Sequence, residues 1–270
     1  MGDIVAIDAG NFETKFYDGK RFIRFPSVIG YDWRERNLQD KPKQFDFDWE
    51  YDGQRGFAGT LALTESDCAE SRKGESKAHP DAQLRVLLAL HQFSSETENR
   101  IIVGQPIKTH KPAEKEAIKR MLIGRHELKV NGERRVIIVR RCEVAAEGVS
   151  SGLLIPGGGT VRVIDIGSGT VNFGTLIDRS FNDRGSFTLV TGLETLKTPD
   201  RVAFARQIAL KALAGGWKAE DAVYLCGGGA ESLLKPLRVY FPTAQVIEGD
   251  PVYANVKAFY LIAGKVFANG

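Results

Sequence analysis

The sequence has few residues of the kinds that mark disulfide-bonded, zinc-binding or membrane-spanning proteins. Its 270 residues include three cysteines and four histidines. Neither set has the paired spacing of a disulfide framework or a metal site. It contains no apolar run of the length, about 18 residues, that would span a membrane. The start, Met1-Gly2-Asp3-Ile4, has no basic segment before an apolar one. We therefore expect no secretory signal and a cytoplasmic location.

Two common nucleotide-binding motifs are also missing. The P-loop pattern G-x-x-x-x-G-K-[ST] does not occur. Residues 167–172 have two of the three glycines of a Rossmann motif, but strand residues follow where that motif requires a helix. The net charge of +3 is too small to indicate DNA binding by itself. A hydrophobic content of 43% in 270 residues fits one large domain or two smaller ones.

The most informative feature is an apolar strand ending in Asp-x-Gly, which occurs twice, 157 residues apart. The two copies are Val5–Asn11 and Val163–Gly169, and a second strand follows each, at Thr14–Tyr17 and Thr170–Ile177. Glycines let the chain reverse with its N–H groups directed into the turn. Two such hairpins facing each other would present two carboxylates and two amide-rich turns to one polyanion. They predict a site for a nucleoside triphosphate and its metal.

A third element has the sequence of a buried strand, Ala222–Cys226, that runs directly into Gly227-Gly228-Gly229. Three glycines allow a flat group to approach the backbone closely. With this order and spacing, the chain resembles the actin, Hsp70 and sugar-kinase superfamily, and Ile7–Lys15 looks most like the ParM-type plasmid-segregation actins. The resemblance implies an α/β actin-like ATPase fold with two RNase H-like lobes around a nucleotide cleft.

The same resemblance implies a domain division. The first lobe comprises residues 1–157 and 252–270, with a small peripheral subdomain at about 30–95, and the second lobe comprises residues 158–251. Only about thirty residues, with one helix at roughly 199–214, separate the second hairpin from the strand at Ala222. Full-length actin homologues have a whole subdomain there. We therefore expect the second peripheral subdomain to be reduced or absent, as in AlfA-type plasmid actins.

Local patterns predict the connecting elements. Apolar residues at helical spacing after a proline predict a helix over 80–93, and Pro112 opens a second helix to about 123. Asn131-Gly132 predicts a hairpin turn. Small residues predict a helix that begins at Glu143 and crosses between the lobes. A last helix is predicted from Pro251; it could anchor the chain to a membrane, as in FtsA, but the short preceding loop favours core packing.

The resemblance also assigns roles to particular residues. Asp8 and Asp165 are expected to hold Mg²⁺ through water, because Mg²⁺ keeps several waters and prefers oxygen ligands. Glu143, at the start of the predicted interdomain helix, is expected to position the hydrolytic water, with Glu147 as the alternative. Lys15 adds a positive charge at the phosphates or is a surface lysine. The predicted nucleotide-binding residues are Asp8, Gly10, Asn11, Thr14, Lys15, Gly167, Ser168, Gly169, Thr170, Asn172, Gly227, Gly228, Gly229 and Glu231.

The motifs predict a protein that binds ATP or GTP with Mg²⁺, and the resemblance implies that it is a filament-forming actin-like protein. The resemblance implies that its filaments segregate plasmid DNA through a DNA-binding adaptor protein, without direct binding to DNA or membranes. Hydrolysis of the nucleotide would control filament stability. Two alternatives remain open: a non-polymerising scaffold ATPase of the FtsA or pilus-assembly type, and a small-molecule kinase of the same superfamily. A chain that stays monomeric with nucleotide would favour the scaffold ATPase. Phosphorylation of a small acceptor would favour the kinase.

Overall fold

A computed structural model of the chain describes residues 3–38, 41–70, 76–196 and 200–268. Contacts divide the chain into two units. The first unit contains residues 1–103, 112–144 and 263–270, and the second contains residues 104–111 and 145–262. Each unit contains one β-sheet with helices, so the fold is mixed α/β.

The first unit holds a sheet of nine strands among the described residues, in the order β3-β2-β1-β7-β9-β8-β5-β6-β4. Strand β1 pairs antiparallel with β2 and parallel with β7. The elements are β1 (Asp3–Ala9), β2 (Glu13–Tyr17), β3 (Phe22–Pro26), β4 (Ile29–Gly30), β5 (Asp46–Tyr51), β6 (Gln54–Gly59), α1 (Thr60–Glu65), α2 (Pro80–Phe93), β7 (Glu98–Gln105), α3 (Pro112–Leu122), β8 (Gly124–Val130) and β9 (Glu133–Ala146).

Helix α2 has the bounds predicted from its sequence. It begins with a proline, whose missing N–H costs nothing in the first turn, and the ring of His79 accepts a hydrogen bond from the backbone N–H of Ala82. Leucines at helical spacing are buried against β1 and β2 in one apolar core. The turn between β8 and β9 is also confirmed, since Asn131 and Gly132 both have positive φ, 51° and 86°.

The second unit holds a smaller sheet in the order β12-β11-β10-β14-β15, with β13 also paired to β11. Strand β10 lies inside this sheet, antiparallel to β11 and parallel to β14. The elements are β10 (Thr160–Ile166), β11 (Val171–Ile177), β12 (Ser180–Phe181), β13 (Phe187–Leu189), α4 (Arg201–Ala214), β14 (Val223–Cys226), α5 (Ala230–Leu237), β15 (Gln245–Val246) and α6 (Ala254–Ala268). Single 3₁₀ turns lie at 107–109, 149–154, 193–195 and 251–253.

Helix α4 is the one α-helix between β13 and β14 in the described part of the chain. The Asp200 carboxylate caps it by accepting hydrogen bonds from the N–H groups of Val202 and Ala203, at 2.9 and 3.0 Å. Phe204 and Ile208 are buried on its inner face. The short connection expected from the sequence, with its single helix at about 199–214, is therefore confirmed for 201–214; Pro199 lies outside the described residues.

The helix predicted to begin at Glu143 is wrong. Strand β9 continues to Ala146, the chain turns at Gly148 with φ 74°, and a 3₁₀ turn follows at 149–154. Ile137, Val139 and Cys142 are buried along β9, and the residues between them are exposed or partly exposed. Small residues occur in helices and in strands, so the local sequence does not distinguish the two. The segment is a strand here because it continues β9, which lies between β7 and β8 in the sheet.

The chain passes from one unit to the other within β7, between residues 111 and 112, within β9 and within α6. The contacts place 104–111, 145–157 and 252–262 in the second unit, whereas the sequence-based division puts them in the first lobe. The lobe boundaries therefore stay a prediction. Helix α6 buries Val256, Phe259 and Phe267. In the described ranges, no helix has the length and apolar character needed to cross a membrane.

Candidate functional site

The first Asp-x-Gly hairpin joins β1 to β2 and holds a nearly buried carboxylate. Asp8 is 5% exposed and lies directly opposite Lys15 in the strand register. The Lys15 Nζ and Asp8 Oδ2 atoms are 3.4 Å apart, and the lysine side chain is 17% exposed. Lys15 is therefore an ion-pair partner of Asp8 and lies mostly out of solvent. Lys15 is the third residue of β2, the strand that leads out of the turn.

The turn itself requires glycine. A Cβ at Gly10 would lie 2.6 Å from the carbonyl oxygen of Glu13, which is closer than side chains approach a backbone oxygen. The carbonyl oxygen of Ala9 accepts a hydrogen bond from Lys77 Nζ at 2.6 Å. Because C=O and N–H point in opposite directions in a trans peptide, the N–H of Gly10 is directed away from Lys77. Lys77 thus helps to set the direction of an amide in the turn.

A buried hydrogen-bond network supports this hairpin from within the first unit. The hydroxyl of Thr14 is 2.8 Å from that of Ser27, and the N–H of Ser27 donates to the carbonyl of Phe12 at 2.9 Å. Arg85 Nε donates to the carbonyl of Ser27 at 2.9 Å. The Thr14 side chain therefore belongs to the interior. The supporting residues Ser27, Arg85 and Lys77 were not predicted, because they are distant in sequence and belong to no motif.

The second hairpin has the same plan. Asp165, near the end of β10, is 6% exposed, and its register partners are Asn172 on β11 and Cys226 on β14. The side-chain amide of Asn255 donates to Asp165 Oδ2 at 3.0 Å. The Asn172 side-chain oxygen accepts from the hydroxyl of Thr188 at 2.8 Å. Asn172 is thus held in the unit's interior beside Asp165.

The backbone of the second turn has a defined direction. The N–H of Gly167 donates to the carbonyl of Thr170 at 3.0 Å and closes the turn. The carbonyl oxygens of Gly167 and Ser168 accept hydrogen bonds from the N–H groups of the turn at 193–195, at 3.1 and 2.9 Å. In planar trans peptides, the N–H groups of Ser168 and Gly169 therefore point away from that turn. Successive N–H groups directed to one side form a site suited to an anion.

The three glycines after β14 have different environments. Gly227 has φ +81°, and a Cβ there would lie 2.6 Å from both Asp165 Oδ1 and the carbonyl oxygen of Ile166. The N–H of Gly229 donates to the Ile166 carbonyl at 3.0 Å. Gly228 is exposed, and a Cβ there would meet nothing within 4 Å. Two of the glycines therefore pack against the end of β10, and the middle one faces open space.

Glu231 lies in the first turn of α5 and is exposed. A carboxylate at this position is stabilised by the partial positive charge of the helix N-terminus. This places Glu231 directly after the three glycines, as the sequence predicts, and gives it a structural role that needs no ligand.

The two glutamates considered for water positioning lie in different units. Glu143 belongs to the first unit, is 33% exposed and accepts a hydrogen bond from Lys119 Nζ at 2.8 Å, which raises the pKa of Lys119. Glu147 belongs to the second unit, is 7% exposed, and its N–H donates to the carbonyl of Gln105 at 2.9 Å. Glu147 is thus in the unit that contains Asp165.

The structure therefore gathers the predicted residues into two groups, one in each unit. Each group contains a nearly buried aspartate near the end of an inner strand, followed by a glycine turn in which hydrogen bonds to the carbonyl oxygens fix the direction of one or two backbone N–H groups. Carboxylate oxygens are the ligands that Mg²⁺ prefers, and directed amides suit phosphate, so the donor set fits both. Within the ranges that the structure describes, no three His, Cys, Asp or Glu side chains gather as a metal cluster.

The chain has two mixed α/β units, and each contains a strand that ends in an Asp-x-Gly hairpin. A further strand, β14, is followed directly by three glycines. These features together are those of the actin-like class of folds. Residues 6–149 match the family model for the N-terminal domain of actin-like proteins. The match covers more than half of the chain, and the chain therefore belongs to the actin-like proteins. Among curated proteins, no match was found.

Solved structures of similar fold cover nearly the whole chain. An AlfA filament bound to AMPPNP is 22% identical, with a TM-score of 0.78, over 100% of this chain and 99% of that one. AlfA from a B. subtilis plasmid, pLS32, in a filament, is 21% identical, with a TM-score of 0.81, over 96% and 98%. A 15-stranded ParM filament from Clostridium botulinum is 17% identical, with a TM-score of 0.79, over 98% and 99%. The predicted actin-like fold is confirmed.

Proposed function

We propose that this chain is a nucleotide-dependent, filament-forming actin-like protein that binds ATP or GTP with Mg²⁺. The observation that carries the proposal is the repeated site plan, in which a buried aspartate precedes a turn of directed amides in each unit. Family membership supports it, and so does the similarity in fold to AlfA, which forms filaments and binds AMPPNP.

In this proposal, different residues of the two hairpins and of the triple-glycine turn bind the phosphates, the Mg²⁺ ion and the base. The backbone amides at Gly10-Asn11 and at Ser168-Gly169 bind the phosphates, with hydroxyl and amide side chains adding donors. Lys15 supplies positive charge beside Asp8. Asp8 and Asp165 hold Mg²⁺ through its waters, and the bound ion neutralises charge on the phosphates. The open face of Gly228 accepts the flat base, while Gly227 and Gly229 hold the backbone of that turn against β10.

The cellular role that we propose is segregation of plasmid DNA by filament growth, through a DNA-binding adaptor protein. Triphosphate binding favours assembly in this account, and hydrolysis weakens the filament. The support is the similarity to AlfA and ParM filament proteins, one of which comes from a plasmid.

Sedimentation tests the proposal. The wild-type chain is incubated over a range of concentrations with ATP, GTP, ADP or no nucleotide, pelleted at high speed, and the pellets are viewed by negative-stain electron microscopy. We expect ordered filaments above a critical concentration with a triphosphate only. A chain that binds nucleotide and stays in the supernatant under every condition would contradict filament formation and favour a scaffold ATPase. Phosphorylation of a small acceptor would favour a kinase.

The water-positioning residue can be identified by paired variants. Glu143→Gln and Glu147→Gln keep the shape of each side chain and remove its charge. The glutamate that orients the attacking water should, when replaced, lower the rate of triphosphate hydrolysis by about 10²-fold and leave nucleotide affinity nearly unchanged. The other variant is the matched control, and its rate should stay within about threefold of wild type. Hydrolysis near the wild-type rate in both variants would exclude both residues from this role.

A further inference from the structure

Asn255, the second residue of α6, makes three buried hydrogen bonds in the second unit. Its Nδ2 donates to Asp165 Oδ2 at 3.0 Å, and its Oδ1 accepts from the N–H of Gly148 and from the hydroxyl of Ser151, both at 2.9 Å. The residue is 8% exposed. One side chain therefore connects the carboxylate of the second hairpin with the turn that follows β9.

The chemistry of the partners determines the orientation of the Asn255 amide. The backbone N–H of Gly148 can only donate, so the side-chain oxygen must face it, which leaves the NH₂ group to donate to Asp165 Oδ2. An aspartate in this position could not donate to Asp165, and a leucine could do neither. Asparagine has a donor and an acceptor in one side chain, so it can donate to Asp165 and accept from Gly148 at the same time.

The turn that Asn255 holds lies directly on the strand pair of the hairpin. Gly148 has φ +74°, and a Cβ there would lie 2.8 Å from Asn172 Cβ and 3.1 Å from Asp165 Cβ. Gly148 also follows Glu147, one of the two candidates for positioning water. A shift of this turn would therefore have two effects at once: it would move Glu147, and it would disturb the packing around Asp165.

We infer that Asn255 is a positioning residue, which holds the Asp165 carboxylate and the Gly148 turn in a single arrangement and thereby sets the Mg²⁺-dependent affinity for nucleotide. The inference rests on the proposed function for its consequence, whereas the linkage itself rests on the three hydrogen bonds. Groups that orient a carboxylate near a metal typically contribute about 10- to 100-fold to metal affinity or activity.

The experiment compares Asn255→Ala with three other variants. Ser151→Ala removes one donor to the Asn255 oxygen and leaves the bond to Asp165 intact. Asn182→Ala is the matched asparagine control, since Asn182 is in the same unit and its Oδ1 accepts from the N–H of Gly185 at 2.8 Å. Asn255→Ser, which keeps a hydroxyl, is measured in parallel in case the alanine variant folds poorly. Circular dichroism checks the folding of each protein.

The readout is the affinity for a fluorescent ATP or GTP analogue, measured in excess Mg²⁺ and again in excess EDTA. We expect Asn255→Ala to lose about 10- to 100-fold of the affinity gained from Mg²⁺ and to keep its affinity in EDTA within about threefold of wild type. Asn182→Ala should keep the full Mg²⁺ effect, and Ser151→Ala, which removes one of the three hydrogen bonds of Asn255, should lose less of it than Asn255→Ala. A loss of the same size with and without Mg²⁺ would overturn the inference, because a purely structural role predicts it. An unchanged Mg²⁺ effect would overturn it as well.

A second measurement separates failure of the inference from failure of the proposed function. If the wild-type chain binds no triphosphate, the proposed function is wrong, and thermal unfolding without nucleotide still tests the linkage. Asp165→Ala, Asn255→Ala and the double variant form a cycle. We expect the midpoint of the double variant to lie near that of the less stable single variant. Additive shifts in the unfolding midpoint would overturn the linkage.

Discussion

Replacement of Asp165 by alanine should abolish most nucleotide-dependent activity of this chain. Asp165 is the nearly buried carboxylate at the end of β10, beside a turn whose amides are directed to one side. Removing one preorganised group that stabilises developing charge typically costs about 10²- to 10³-fold in rate, and Asp165 would stabilise charge on the phosphates by holding Mg²⁺. We expect a loss of that size in the steady-state hydrolysis of the preferred triphosphate, together with loss of nucleotide-dependent pelleting.

Asp183→Ala is the matched control for this variant. Asp183 is an exposed aspartate of the same unit, and its hydrogen bond with Ser186 uses the backbone carbonyl, which the substitution keeps. Hydrolysis and assembly should be unchanged in this control. An Asp165→Ala protein that binds the triphosphate with wild-type affinity in Mg²⁺, hydrolyses it and forms filaments would contradict the site.

The second large effect is expected at Gly227. A side chain there must adopt φ +81°, which costs of order 1–3 kcal/mol for a residue other than glycine. Its Cβ would also lie 2.6 Å from the Ile166 carbonyl oxygen and from Asp165 Oδ1, so the end of β10 would have to shift. We expect Gly227→Ala to lower the thermal unfolding midpoint by several degrees, and to weaken nucleotide binding by more than tenfold.

The neighbouring glycine offers a control within the same turn. Gly228 has an ordinary φ, and a Cβ added there would meet no atom within 4 Å, so Gly228→Ala should leave the unfolding midpoint nearly unchanged. We also propose that the base packs on Gly228, so a substitution there would change nucleotide affinity directly. The two variants are therefore compared by their thermal unfolding midpoints and not by nucleotide affinity. Equal unfolding midpoints for Gly227→Ala and Gly228→Ala would show that the close approach at Gly227 is not required.

Local signals in the sequence were sufficient to predict the parts of the fold that contain the candidate site. The first strand of each predicted hairpin has an apolar, β-branched run, and the Asp-x-Gly and triple-glycine segments mark where strands end. Helices α2 and α3 begin with prolines and have apolar residues at helical spacing, which explains their accurate bounds. These features are determined by residues near one another in the chain, so a single sequence contains them.

Other features depend on contacts between distant residues and could not be predicted. The segment at Glu143 consists of small residues that suit a helix or a strand, and it became the end of β9 because of the sheet around it. Lys77 and Asn255 support the two hairpins from 68 and 90 residues away, through single hydrogen bonds to Ala9 and Asp165. No motif marks either residue, because each needs only one donor at the correct place.

The central claim is that the two hairpins and the glycine-ended strand bind a nucleoside triphosphate. Isothermal titration calorimetry tests it most directly, with wild-type protein below its assembly concentration and AMPPNP or a non-hydrolysable GTP analogue, with and without Mg²⁺. We expect saturable binding of one nucleotide per chain that is strengthened by Mg²⁺, and we expect Asp165→Ala to lose that strengthening. Absence of saturable binding of either analogue by a folded wild-type chain would contradict the account.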